Sequence, residues 1–100
     1  MKGSAMIARI DVDPAEPGSY AYRVSFEGEE LYADSDLSSV TDALVAAVEG
    51  LPPEVAAVEV SYQAIVSGTY PLDVLAMSPS QIADHASNTA AAVHEALANR

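Results

Sequence analysis

Asp34-Ser35-Asp36-Leu37-Ser38 puts side-chain oxygens at alternate positions, the way a calcium loop begins. Such a loop needs a glycine at its sixth position and a bidentate glutamate at its twelfth, where this chain has Ser39 and Val45. The better reading is a helix mouth. Asp36 would accept hydrogen bonds from the orphan amides of the first turn, and Asp34 would favour the helix dipole. His85 and His94 stand nine residues apart. On a helix that spacing points them to opposite sides, so they cannot ligate one metal together, and both fall off the apolar stripe. Cysteine is absent. No Gly-x-Ser-x-Gly elbow activates a serine, and no glycine-rich loop precedes a helix to cradle phosphate. Glu29–Glu30 and Asp11-x-Asp13 pair carboxylates, but raising one carboxyl pKa takes an apolar or aromatic cleft. A chain with no tryptophan has little bulk to build one. No catalytic residue, metal ligand or cofactor is expected, and the chain reads as a non-enzyme.

What remains is charge. From Val24 to Glu95 there is no Lys or Arg, yet 12 of the 15 acidic residues lie there, and the formal net charge is −11. Five carboxylates fall within Glu27–Asp36. Such a field disfavours nucleic acid and anionic membranes as direct ligands, since both are bound by clustered Lys and Arg. It suits a protein with a basic surface, of the kind that holds nucleic acid, because complementary fields speed association and suppress wrong partners. The expected function is a small acidic binding protein, an inhibitor of the immunity or anti-defence type that mimics nucleic-acid charge. The candidate docking residues are Glu27, Glu29, Glu30, Tyr32, Asp34, Asp42 and Glu49. Tyrosine suits an interface because it brings area with a polar tip, although Tyr20 and Tyr22 share a face with Val24 and Phe26 and read as core. Tyr32 fits either place. The alternative is a homo-oligomeric assembly subunit, a homodimer through the alanine-rich C-terminal helix or a sheet edge. Nineteen alanines and a single phenylalanine make a thin core, and a thin core gains from association.

The elements that must position these residues follow from periodicity. One hundred residues make one domain, and Met1–Ala5, ahead of a second methionine, reads as an appended remnant outside the fold. No apolar run approaches the roughly 18 residues of a membrane span. Without a visible leader the expected location is cytoplasmic. Ala8, Ile10 and Val12 alternate with Arg9 and Asp11, predicting a half-buried strand over 6–12, then a loop over 13–19. Tyr20, Tyr22, Val24 and Phe26 predict a second strand. Glu27-Gly28-Glu29 makes a tight turn into a third over 30–34.

Leu37, Val40, Leu44, Val45, Val48 and Leu51 recur at helical spacing, and Gly50 with Pro52-Pro53 stops that helix. Val55–Val66 reads as a long strand. Ser67-Gly68 then either turns the chain into a further strand through Tyr70, Leu72 and Val74, with Pro71 holding it to an edge, or opens an irregular connection. Ser78-Pro79-Ser80-Gln81 has the form of a capping box opening a helix with Ile82, Ala83, Ala86, Ala90, Val93 and Leu97 on one stripe. The order β-β-β-α-β-(β)-α predicts an α+β domain, an antiparallel or mixed sheet of four or five strands with two helices on one face. The other face would carry Arg9, Arg23, Ser25, Glu59, Ser61 and Gln63.

Overall fold

The computed structural model describes residues 6–99. Met1–Ala5, expected to be an appended remnant, lie outside the described residues. The fold is α+β, a mixed five-stranded sheet with its helices layered on one face.

Met6–Glu16 forms β1, and its alternating Ala8, Ile10 and Val12 are buried while Arg9 and Asp11 face the other way. The strand runs past the expected 6–12 because Asp13 and Pro14 continue to pair with β2, Ser19–Phe26, before a bulge between Pro14 and Glu16. Pro17-Gly18 closes that hairpin, with Gly18 at φ 77, the conformation a Pro-Gly turn demands. Glu27 (φ 52) and Gly28 (φ 84) then form a two-residue loop with positive φ at both positions, which matches the twist of the strands it joins. It leads into β3, Glu29–Leu37.

Val40–Glu49 forms α1, which crosses the sheet to β4, Val55–Tyr62. That strand pairs parallel to β1, so the sheet order is β3-β2-β1-β4-β5. A single row of opposed residues, Tyr32–Val24–Ile10–Val60–Gly68, spans all five strands on the covered face. Val40, Ala43, Leu44 and Ala47 of α1 bury onto this face.

β5 is Ile65–Pro71. The turn before it is Gln63-Ala64, not the expected Ser67-Gly68, so the long strand over 55–66 is two, and Gly68 lies inside β5. Gln63, expected on the open sheet face, is a turn residue. Gln63 and Ala64 both take left-handed φ, 53 and 69, which Cβ disfavours by about 1–2 kcal/mol per residue. The turn holds because β1 pins it: the Gln63 amide donates to the Val12 carbonyl at 3.1 Å, extending the parallel ladder. Ala64→Gly should therefore stabilise the fold by about 0.5–1 kcal/mol, a rise of roughly 3–6 °C in the thermal midpoint.

Leu72 and Val74 do not continue the sheet. They belong to a short helix, α2 (Leu72–Met77), whose Leu75 is fully buried. The described residues thus form three helices where two were expected. Pro79–Ala98 forms α3, burying Ile82, Ala83, Ala86 and Ala90. Its mouth lacks the expected capping box, as Ser78 makes no side-chain capping bond. Ser78 is shared by two helices: its amide donates to Val74 at the end of α2, and its carbonyl accepts from Ile82 in α3. Beyond Ala90 the described residues are exposed except half-buried Val93, and Leu97 is 53% exposed, so the last turns of α3 run past the core.

Candidate acidic docking surface

β3 is one edge of the sheet and carries Glu29, Glu30, Asp34 and Asp36, with Glu27 at the turn before it. All five are exposed. Two irregularities break its pairing with β2, one between Tyr20 and Tyr22 and one between Val24 and Ser25. The first leaves Ser35 and Asp36 out of register, and Asp36 takes a left-handed φ of 67.

Asp36 does not cap α1. The cap is Ser39, whose Oγ accepts from the Asp42 amide at 3.0 Å. Asp36 is three residues too early, held in the edge strand by the pairing of Leu37 with Tyr20. Ser39 followed three residues on by Asp42 is the signal that locates the true start, a short relative of the capping box. Leu37, expected on the helix stripe, is instead the last residue of β3. Asp34 Oδ1 accepts from the Ser35 amide at 2.8 Å, a local turn bond.

The other candidates extend this edge onto α1. Asp42 sits in its first turn, where the dipole favours a carboxylate, and accepts a hydrogen bond from Ser38 Oγ. Glu49 sits in its last turn, where the dipole opposes a negative charge and no basic residue compensates. Burial raises the Tyr22 pKa, and the charges of Asp34 and Glu49 add to the shift. The acidic flank is thus the β3 edge with the exposed Asp42 and Glu49 of α1, and Glu49 also borders a hollow lined by Val48, Leu75 and Pro79. The ion pairs among the described residues all involve Arg9, on the open sheet face, and none reaches this flank.

Tyr32 is a packing residue within this flank. It is half-buried, its ring meets Tyr22 edge-on with centroids 6.3 Å apart, and its hydroxyl donates to the Ala47 carbonyl at 2.5 Å. A Cβ on Gly50 would lie 2.8 Å from the Tyr32 ring, closer than such contacts allow. Gly50 has an ordinary helical φ of −89, so the ring, not the backbone conformation, requires the glycine. Gly50→Ala should cost about 1 kcal/mol by displacing the ring from its hydrogen bond. In a Tyr32→Ala background the same change should become stabilising by a few tenths of a kcal/mol, because alanine is the better helix former. Chemical denaturation of the four proteins in that cycle checks the reversal of sign.

The open face is chemically different. Arg9 Nε donates to Asp11 Oδ1 at 2.8 Å, a bond that raises the Arg9 pKa, and its Nη1 lies 3.7 Å from Glu59. Ser61 Oγ donates to the same Asp11 oxygen at 2.5 Å, and Ser61 is the one buried polar residue of the described chain. Arg23 shares a shallow hollow with Asp11, Asp13 and Glu30. Cations and carboxylates are interleaved here, whereas β3 carries carboxylates and no cation.

Tyrosine ionisation reports on the covered face. Burial is the main cause raising Tyr22, Tyr32 and Tyr62 above the ordinary value of 10.0, with Tyr20 and Asp13 adding to the shift at Tyr62. The unfolded chain loses these protons first, so stability is complete below about pH 10 and falls as pH rises through the raised folded values. Absorbance titration at alkaline pH should show these hydroxyls ionising later in the native protein than in urea, with the melting temperature falling over that window.

His85 and His94 are exposed on α3, and among the described residues no three His, Cys, Asp or Glu side chains converge as a metal site. These features define a small two-layer α+β domain with one acidic sheet edge. No protein-family model, curated protein or solved structure matches the chain.

Proposed function

We propose that this protein is a small acidic binding protein that docks its β3 edge and the adjoining flank of α1 on a basic protein surface. A surface that otherwise holds nucleic acid suits it best, and occupying one would make the protein a competitive inhibitor. The observation that carries this reading is the composition of the β3 edge. That edge bears Glu29, Glu30, Asp34 and Asp36, all exposed, and no ion pair among the described residues reaches it. Exposed like charges gathered on one edge repel one another, and a positive partner surface relieves that repulsion.

The test is affinity capture from lysate at low and high salt, with nuclease treatment to remove bridging nucleic acid. Basic proteins retained at low salt, released at high salt and displaced by added oligonucleotide support the reading. Partners indifferent to salt and oligonucleotide would exclude it. An assembly role is a second reading, favoured by the exposed Leu97 on the projecting turns of α3.

A further inference from the structure

The two edges of the sheet are built in opposite ways. β3 is guarded by four carboxylates and two breaks in its ladder, the devices that keep strand edges from pairing with other chains. β5, the other edge, has no charged residue, and none occurs from Val60 to Leu72 in a chain of net charge −11. It carries one irregularity, opposite Val60 and Ser61, and a proline only at its last residue. Among the described residues its outward backbone groups have no strand partner. Val66 is 43% exposed and Thr69 is also exposed; opposite Ser61 and Glu59, both stand on the open sheet face beside this edge.

We propose that β5 is a self-association edge, pairing antiparallel with β5 of a second copy about a two-fold axis. The occupant follows from charge. A chain this acidic can approach a copy of itself closely only where neither brings carboxylates, and of the two edge strands β5 meets this condition. A two-fold contact opposes the same strand to itself, so one uncharged strand supplies both sides. The product is a continuous ten-stranded sheet with the β3 edges at its far ends. They lie about 43 Å apart, nine spacings of roughly 4.8 Å, several Debye lengths in physiological salt. This inference is independent of what the acidic edge binds.

Sedimentation equilibrium of the full chain from about 5 to about 500 µM tests it, a range that covers weak dimers. The wild-type chain should dimerise, and Val66→Lys/Thr69→Lys, which opposes like charges across the axis, should weaken the dimer at least tenfold. Should that variant lose its circular dichroism signal, hydrogen exchange of the wild-type chain decides: amides 65–70 should gain protection as concentration rises. A monomer throughout the range overturns the proposal. So does a dimer that survives the two lysines, or one whose concentration-dependent protection falls on α3 instead.

Discussion

Neutralising Glu27, Glu29, Glu30 and Asp34 together, as E27Q/E29Q/E30Q/D34N, should weaken capture of a basic partner by about 100-fold in physiological salt. That is near 0.7 kcal/mol per carboxylate, within the range of exposed charge pairs. Most of the loss should fall on the association rate, and the salt dependence of binding should flatten with it, because exposed charges act mainly by steering. The fold should not suffer. None of the four takes part in an ion pair among the described residues, and all are exposed. A melting temperature equal to or above wild type, with binding lost, is the expected pair of results. Unchanged affinity and salt dependence in the folded variant would show that these carboxylates serve solubility alone.

Ile10→Ala should have the largest effect on stability. Ile10 is fully buried at the centre of the middle strand, with Val24 opposite it on one side and Val60 on the other. Removing its side chain should cost about 3–4 kcal/mol, a large share of the 5–15 kcal/mol that holds a typical domain. A core built largely of alanine and valine offers few side chains long enough to collapse into the cavity. The melting temperature should fall by about 12–25 °C, with a proportional drop in the urea midpoint.

The strands and the layer of helices were readable because periodicity and burial coincide there. Ala8, Ile10 and Val12 alternate in the sequence and are buried in the fold; Leu44 and Ala83 sit on the stripes their helices bury. The misread places are those where a long-range contact overrode local chemistry. Gln63 and Ala64 are poor turn residues, and the turn falls on them because β1 captures the Gln63 amide. Ser67-Gly68 has good turn chemistry but is held in a strand by its pairing with β4. Asp36 has the chemistry of a cap, yet the pairing of Leu37 with Tyr20 keeps it in the sheet. At the docking surface the acids were visible as composition. That the acids of one strand line a sheet edge, with exposed Asp42 and Glu49 on the helix that follows, needed the fold to show it. The burial of the Tyr32 ring under Gly50 has no sequence signal short of knowing that contact.

The parallel pairing of β1 with β4 also governs how the chain is made. Arg9 stands beside Glu59, 50 positions later, so one side of the central strand waits for its neighbour while the intervening chain is synthesised. At about 5–20 residues per second that wait lasts a few seconds, during which the β1–β2–β3 meander presents β1 as an open strand edge. Over that interval the chain exposes Ile10 and Val12 before α1 and β4 can cover them. The same interval places Glu27, Glu29, Glu30, Asp34 and Asp36 in the emerging chain, all ahead of β4. Those carboxylates give the unfinished chain a negative net charge, and like charge disfavours edge-to-edge pairing between chains while β1 is open.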